Sequence, residues 1–226
     1  MTAAIIVAAG RGTRMGPDVD KLFLEVAGAP VVAHTWRRFD SVGFDEVLLV
    51  VREGMQGAFE ALAAEVKPRC PWRWVVGGRE RQNSVWNGLQ AVAPGTDVVA
   101  IHDGARPCTA SELILRCLAI ARLTGASVAA QRAVDTIKES EDGRTISRNL
   151  DRAKLWTVQT PQCFQVEVIR RALGEVRRQG LSITDDTAAC ALIGQAVELV
   201  ESRHPNPKVT SPADLPLVEL RLRELE

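Results

Sequence analysis

Short apolar runs alternate with amphipathic stretches along most of the chain, and this alternation restricts the possible fold more than any other feature. The apolar runs are rich in valine and isoleucine, as in strands buried on both faces of a parallel sheet. They lie at residues 4–7, 47–51, 74–76, 98–101, 126–130 and 197–200. Helical stretches lie between or after them at residues 31–39, 55–66, 81–92, 111–122, 166–179 and 185–193, with a charged helix from residue 212. This order predicts an α/β fold with a doubly wound, mostly parallel sheet.

The first strand leads into a loop rich in glycine and arginine. Residues 8–16 read Ala-Ala-Gly-Arg-Gly-Thr-Arg-Met-Gly, and Lys21 follows closely. Glycine lets successive amides form a concave anion site, and Arg14 and Lys21 beside it suit a triphosphate. The loop lacks the Gly-Lys-Ser/Thr ending of a Walker motif and the glycine spacing of a dinucleotide fingerprint. The alternative is a glycine-rich turn that serves helix–sheet packing alone.

Two further constellations lie at expected carboxyl ends of strands, where α/β sheets bind ligands. Residues 77–85 read Gly-Gly-Arg-Glu-Arg-Gln-Asn-Ser-Val, a turn whose backbone could contact a base; an ordinary N-capping turn is the alternative. Residues 102–107 read His-Asp-Gly-Ala-Arg-Pro. Asp103 could hold nucleotide-bound Mg²⁺, or it could cap a helix and pair with Arg106. We interpret His102 as a packed, hydrogen-bonded histidine, and Ser111 as the cap of the following helix.

The segment at residues 134–151 interrupts the alternation. It is polar and has the turn signal Glu-Asp-Gly-Arg at its centre, which predicts a β-hairpin with too little apolar surface for a core of its own. Such a hairpin could pack on another subunit or project into solvent. Since we find no repeat and no low-complexity linker, we predict one domain over residues 1–226, with this hairpin as an arm.

Composition narrows the class of partner. Lysine and arginine total 28, as do aspartate and glutamate, so the formal net charge is +0. This balance argues against a nucleic-acid or membrane partner. The five cysteines form no C-x-x-C pair, which favours free thiols in a reducing compartment. No segment has the length and apolarity of a membrane span, and the first apolar stretch lacks a charged leader before it. We therefore expect a cytoplasmic protein.

Together these segments resemble the 2-C-methyl-D-erythritol 4-phosphate cytidylyltransferase family along essentially the whole chain. The opening loop is shared by many nucleotidyltransferases. The run at residues 151–162, Asp-Arg-x-x-Leu-Trp-x-x-Gln-Thr-Pro-Gln, is more specific, and further matches lie at residues 77–88, 102–107, 135–138, 183–185 and 208–210. The resemblance implies a Rossmann-like nucleotidyltransferase sheet and transfer of CMP from CTP to methylerythritol phosphate, with Mg²⁺ as cofactor and release of pyrophosphate.

The same resemblance implies roles for individual residues. By position, Arg14 and Lys21 match residues that stabilise the transition state, and Arg152 and Lys208 match residues that position the polyol phosphate. The other substrate-binding positions correspond to Arg106, Thr136, Thr160 and Thr184. The CTP-binding positions correspond to Ala8, Ala9, Gly10, Gly12, Gly78, Ser84 and Asp103. Asp103 is the implied metal ligand.

The family resemblance also implies a homodimer. The hairpin at residues 134–151 matches an arm that exchanges between subunits, which would bring Thr136 and Arg152 into the partner's active site. One position departs from the family pattern, because Pro205 stands where an acidic residue is usual. Mg²⁺ would then depend on Asp103 and the triphosphate. Two other functions remain open: ribitol-5-phosphate cytidylyltransferase on the same scaffold, and a nucleotide-binding regulator without catalysis.

Overall fold

A computed structural model describes residues 1–10, 12 and 20–225 of the chain. The strands are β1 (Thr2–Ala8), β2 (Glu25–Val26), β3 (Ala29–Pro30), β4 (Glu46–Val51), β5 (Trp72–Val76), β6 (Val98–Asp103), β7 (Ala126–Arg132), β8 (Lys138–Glu139), β9 (Arg148–Asn149), β10 (Trp156–Gln165) and β11 (Glu198–Glu201). The helices are α1 (Val31–Val42), α2 (Gln56–Val66), α3 (Arg81–Ala91), α4 (Ser111–Thr124), α5 (Val166–Gln179), α6 (Asp186–Ala191) and α7 (Leu215–Glu224).

Seven of these strands form the central sheet, in the order β11-β7-β10-β6-β1-β4-β5. β1 pairs in parallel with both β4 and β6, and β4 pairs in parallel with β5. β10 is antiparallel to both of its neighbours, β6 and β7. The prediction of an α/β fold with a mostly parallel sheet is therefore confirmed.

Helices cover both faces of the sheet because alternate strand residues point in opposite directions. Ala4 and Ile6 pack in one hydrophobic cluster with residues of α1, α2, α4 and α7. Ala3 and Ile5 pack in a second cluster with residues of α3, α5 and α6. Since each buried strand supplies both layers, its sequence is apolar throughout, which explains why the short runs are so easily recognised.

The structure differs from the sequence-based expectations in three places. Periodicity does not predict β10, because the polar residues and Pro161 within it are atypical of a central strand. The pair β2–β3 is too short to produce a periodic signal. The prediction that Ser111 caps α4 is wrong: Ala110 is the N-cap, and Ser111 is the first helical residue.

The segment at residues 134–151 contains a small antiparallel pair outside the main sheet. Lys138 pairs with Asn149, and Glu139 pairs with Arg148. Val134 and Ile146 are exposed, at 81% and 64% of their surface. In the described single chain, therefore, this segment leaves apolar side chains in contact with solvent.

The parallel strands end together at one edge of the sheet. Val7 lies beside Asp103, and Val51 lies beside Val76. The amide of Gly104 donates to the carbonyl of Val7 over 2.9 Å. As a result, the loops that follow β1, β5 and β6 lie side by side.

Close packing of α3 on the sheet yields a stability prediction. A Cβ added at Gly88 would lie 2.9 Å from Ile5 Cγ2 and from Val50 Cγ2, closer than packed carbon atoms tolerate. We expect Gly88→Ala to lower the free energy of unfolding by about 1–3 kcal/mol, as overpacking does. Urea denaturation measures the change. The control is Gly174→Ala in α5, where a Cβ meets nothing within 4 Å; it should stabilise the protein, and a loss equal to that of Gly88→Ala would contradict the packing argument.

Candidate active site

A cavity opens at this edge of the sheet, between the loops that follow β1, β5 and β6. Its lining combines backbone, carboxylate and cationic groups. The lining residues are Val7, Ala9, Gly10, Lys21, Leu22, Gly78, Arg79, Glu80, Arg81, Ser84, Asp103, Gly104, Ala105 and Lys208. Seven of the residues proposed from sequence therefore lie around one space: Ala9, Gly10, Lys21, Gly78, Ser84, Asp103 and Lys208.

The turn at Gly77 and Gly78 is held tightly against its surroundings. A Cβ at Gly77 would lie 2.5 Å from Ala9 Cβ, and one at Gly78 would lie 2.4 Å from Asn83 Cβ. Ser84 Oγ accepts a hydrogen bond from the Gly78 amide at 3.0 Å and lies 3.1 Å from the Glu80 carbonyl, to which it donates. Ser84 thus fixes the turn at the wall of the cavity. The capping alternative also describes the turn, since Asn83 Oδ1 accepts from the Glu80 amide.

Asp103 is the last residue of β6 and is surrounded by three cations. Lys208 Nζ lies 2.7 Å from Oδ2, Arg81 Nε lies 3.4 Å from Oδ1, and Arg106 Nε lies 3.6 Å from Oδ2. Burial alone would raise the pKa of this carboxyl, but the surrounding cations, Lys208 first, hold it well below its usual range. Asp103 is therefore an anion over the whole physiological pH range.

Lys21 and Lys208 are connected through the backbone of Val209. Lys21 Nζ donates to the Val209 carbonyl over 2.9 Å, and the Val209 amide donates to the Ala105 carbonyl over 2.8 Å. A Cβ at Gly12, where φ is +63°, would lie 2.9 Å from Lys21 Cδ, so Gly12 packs on the Lys21 side chain. Loops from both ends of the sequence thereby place two ammonium groups at the same cavity.

A buried polar network lies directly under Asp103. Thr160 Oγ1 accepts from the Asp103 amide at 3.2 Å and lies 2.9 Å from His102 Nδ1. Asn206 Nδ2 donates to the Thr160 carbonyl, and Thr109 Oγ1 donates to Asn206 Oδ1. Burial lowers the pKa of His102 to about 3, so the imidazole is neutral at physiological pH. The interpretation of His102 as a packed histidine is confirmed.

Two of the proposed substrate-binding residues belong to this layer beneath the cavity. Thr160 is buried, and its hydroxyl is engaged by His102 and Asp103. Arg106 Nη1 donates to the Asn206 carbonyl over 2.7 Å, and burial lowers the pKa of its guanidinium. Neither residue lines the cavity. Their roles in substrate binding stay predictions.

Other proposed residues lie apart from this cavity in the single chain. Arg152 Nη1 donates to the Val134 carbonyl over 2.6 Å, in a separate concavity lined with Arg132 and Asp151. Thr136 and Thr184 are exposed. Ala8 is buried at the end of β1. Arg14, proposed to stabilise the transition state, lies outside the described residues.

Two further residues, Arg81 and Asp186, are absent from the sequence-based set of site residues. Arg81 Nη1 donates to Asp186 Oδ2 over 2.8 Å, while its Nε faces Asp103. The two aspartates raise the pKa of Arg81 against the opposing effect of burial, so the guanidinium stays charged. Arg81 could have been found from the sequence, because it lies three residues after Gly78. Asp186 could not, because it is 105 positions from Arg81 and no local pattern connects the two.

The donor set at Asp103 fits a divalent cation that arrives with a nucleotide. In the described part of the chain, no three His, Cys, Asp or Glu side chains come together as a metal cluster. Mg²⁺ is commonly bound by one or two carboxylates together with phosphate oxygens and waters. Asp103 can supply one such carboxylate, and the remaining ligands would come from the nucleotide and solvent.

These features are the ones expected of a nucleotidyltransferase site: a cavity at the carboxyl ends of parallel strands, with a glycine turn, a carboxylate and several cations. The family model described as 2-C-methyl-D-erythritol 4-phosphate cytidylyltransferase matches residues 2–224. The chain belongs to this family. Its fold and its site are consistent with that membership.

Individual relatives are similar over nearly their whole length. The chain is 40% identical to 2-C-methyl-D-erythritol 4-phosphate cytidylyltransferase of Synechococcus elongatus over 221 residues, covering 97% of this chain and 95% of the relative. Identity to the enzyme of the same name from Caldanaerobacter subterraneus is 37%, covering 98% and 99%.

Solved structures show the same architecture. The crystal structure of 4-diphosphocytidyl-2C-methyl-D-erythritol synthase from Anaerococcus prevotii superposes with a TM-score of 0.87 at 28% identity, covering 98% of this chain and 96% of that one. The crystal structure of 2-C-methyl-D-erythritol 4-phosphate cytidylyltransferase from Thermus thermophilus gives 0.80 at 32% identity, covering 99% and 100%. Among the described residues, no helix has the length and apolarity to cross a membrane.

The network under Asp103 yields a prediction about Asn206. Asn206→Ala removes both side-chain hydrogen bonds and leaves the Thr160 carbonyl and the Thr109 hydroxyl buried without that partner. We expect the free energy of unfolding to fall by about 2–3 kcal/mol, since unpaired buried polar groups are costly. Urea denaturation measures this. Asn149→Ala, an exposed hairpin residue that contacts Lys138, is the control and should change stability by less than about 0.5 kcal/mol. Equal effects of the two substitutions would contradict a structural role for the network.

Proposed function

We propose that this chain transfers CMP from CTP to the phosphate of 2-C-methyl-D-erythritol 4-phosphate, giving 4-diphosphocytidyl-2-C-methyl-D-erythritol and pyrophosphate. The observation that carries the proposal is the anionic Asp103 with Lys208 and Arg81 at the wall of a cavity beside the Gly78 turn. Membership of the cytidylyltransferase family supports the choice of substrates.

The proposed reaction needs electrostatic stabilisation rather than a general base. The attacking phosphate is already an anion, so the difficulty is to bring two anions together and to stabilise charge at a five-coordinate phosphorus. Lys21 supplies fixed positive charge at the cavity to stabilise the transition state, and Lys208 supplies the charge that positions the polyol phosphate. We assign Arg14 to the same task as Lys21. Mg²⁺, held at Asp103, would neutralise phosphate charge when bound.

Cytosine is proposed to bind at the Gly78 turn. The turn is fixed by close packing on Ala9 and by the bond from the Gly78 amide to Ser84, so the other backbone groups that it presents to the cavity are held rigidly. A rigid set of buried donors and acceptors discriminates strongly between bases, because the wrong base leaves them unpaired. In this proposal Ser84 contributes to CTP binding by holding the turn in place. The triphosphate of CTP binds at Ala8, Gly10 and Gly12.

The polyol phosphate is proposed to bind between two subunits. Arg152 and Thr136 lie in or beside an exposed segment whose apolar residues Val134 and Ile146 lack cover in the single chain. Docking of this arm on a second copy would bury those residues and could carry Arg152 to the partner's cavity. A C2 homodimer makes the exchange reciprocal. The proposed subsite for the polyol phosphate also includes Arg106, Thr160 and Thr184. Arg106 and Thr160 would support it from the buried layer below the cavity.

We further propose that residues 1–226 form one cytidylyltransferase domain in the cytoplasm. The five cysteines are buried free thiols, and free thiols are typical of a reducing compartment, which supports this proposal. Asp103 is the proposed Mg²⁺ ligand of this domain.

The direct test is a pyrophosphate-release assay. With Mg²⁺ present, we expect turnover with CTP and 2-C-methyl-D-erythritol 4-phosphate. Replacement of CTP with UTP should lower kcat/KM by about 10⁴-fold, because a site built on hydrogen bonds rejects the wrong base. Ribitol 5-phosphate is the control acceptor. Faster turnover with ribitol 5-phosphate would assign the chain to that activity, and CTP binding without turnover would indicate a regulator.

The exchanged arm is tested by mixing two variants. Lys21→Met keeps the packed aliphatic stem and removes the charge; Arg152→Ala removes the guanidinium. Lys21→Met should lose about 10²–10³-fold in kcat, as after loss of one transition-state donor. Arg152→Ala should be nearly inactive as well, because the polyol phosphate loses a positioning cation. In a one-to-one mixture, half of the dimers are mixed, and each holds one intact composite site, so about a quarter of the original activity should return.

Subunit exchange in the mixture is verified independently with two distinguishable tags. The matched control mixes Lys21→Met with Lys208→Ala, whose defects both lie at the same cavity of one chain. That mixture should return no activity, because in a mixed dimer each site keeps one defect. If the Arg152→Ala mixture also stays inactive after exchange, Arg152 acts within its own chain and the proposed arm exchange is wrong.

A further inference from the structure

Asp186 is a fully buried carboxylate at the first position of α6. Its Oδ2 accepts from Arg81 Nη1 over 2.8 Å. Its Oδ1 is buried and has no hydrogen-bond partner among the residues that the structure describes. A buried carboxylate with an unpaired oxygen is unfavourable in itself, so its presence calls for an explanation.

Helix capping does not explain this residue. The cap of α6 is the preceding Asp185, whose Oδ1 accepts from the Ala188 amide at 3.0 Å and from Thr187 Oγ1 at 2.9 Å. The Asp186 side chain takes no part in these bonds and points to Arg81. The two adjacent aspartates therefore divide their tasks: Asp185 stabilises the helix, and Asp186 holds a guanidinium.

Arg81 has two anions available, and its orientation depends on both. Its Nη1 is bonded to Asp186, while its Nε lies 3.4 Å from Asp103 Oδ1, longer than a good hydrogen bond. An arginine has five donors in a planar fork and favours bidentate pairing with a carboxylate. Without Asp186, the fork would be free to turn onto Asp103 or into the cavity.

We propose that Asp186 is a positioning residue, which holds the Arg81 guanidinium away from full pairing with Asp103. It thereby keeps Asp103 Oδ1 accessible to CTP and its metal ion, while Oδ2 faces Lys208. This inference rests on the proposed function. It assigns Asp186 to the nucleotide side of the site and not to the polyol phosphate side. Loss of the anchor therefore affects the two substrates unequally.

The first test compares KM values. Asp186→Asn keeps the size of the side chain but removes its charge. We expect KM for CTP to rise roughly 10-fold, the effect of a lost charged hydrogen bond, and KM for the polyol phosphate to stay within about twofold. Asp40→Asn is the control, since Asp40 is a buried carboxylate that accepts from the Arg69 and Cys70 amides away from the cavity. It should lower the melting temperature and leave both KM values unchanged.

The second test is a double-mutant cycle with Arg81→Gln. Arg81→Gln leaves Asp186 buried without its cation, so the melting temperature should fall, and adding Asp186→Asn should recover part of it. KM for CTP should stay as high in the double variant as in Arg81→Gln alone, because Asp186 acts through Arg81. If Asp186 had only a structural role independent of Arg81, the effects of the two substitutions on KM for CTP would multiply in the double variant.

The outcomes separate this inference from the proposed function. If the wild-type enzyme does not use CTP, the proposed function is wrong, while the melting-temperature cycle still reports whether Arg81 and Asp186 act as a pair. If CTP turns over normally but Asp186→Asn leaves its KM unchanged, or raises both KM values equally, the positioning role is overturned.

Discussion

The arrangement of the site depends on the negative charge of Asp103. Lys208, Arg81 and Arg106 come from three separate segments, and their mutual repulsion would drive them apart without a carboxylate between them. The same interactions lower the pKa of Asp103, because each cation favours the ionised form of the carboxyl group. One side chain at the end of β6 therefore fixes a turn, a loop and a segment near the carboxyl terminus. The cations are already in place before any phosphate enters, which is the preorganisation that such chemistry needs.

Rigidity below the cavity has a different origin. Irregular pairing in β10 shifts the register between Val158 and Gln162, and the residues released from the ladder include Thr160. Its hydroxyl and carbonyl then bond to the Asp103 amide and to Asn206. A local irregularity in a strand thus supplies hydrogen bonds that a regular ladder could not offer. Backbone contacts at Gly77 and Gly78 fix the opposite wall, so the site is bounded by elements that cannot shift independently.

Much of this could be predicted from the sequence, for physical reasons that vary from one residue to another. The doubly wound sheet follows from apolar runs that must be buried on both faces, and the meeting of Gly78, Asp103 and Lys21 follows from strands that end at one edge. β10 could not be predicted from periodicity, because Thr160 and Pro161 interrupt its apolar pattern. The Arg81–Asp186 pair joins residues 105 positions apart, so no local signal exists. The direction of a side chain could not be predicted from the sequence either. The Thr160 hydroxyl, for example, contacts His102 and the Asp103 amide in the buried polar network instead of lining the cavity.

The bond from Lys21 to the Val209 carbonyl joins residues 188 positions apart in the sequence. Contacts of such separation close the longest loops and belong to the late steps of folding. During synthesis, Lys21 leaves the ribosome long before Val209, so its ammonium group can reach the Val209 carbonyl only after the 188 positions between them have been made. Lys208 arrives at Asp103 at the same moment. The parallel strands β1, β4, β5 and β6 can therefore pair before these two cation contacts exist. The arrangement of Lys21 and Lys208 at the cavity is completed only after residues 208 and 209 have emerged.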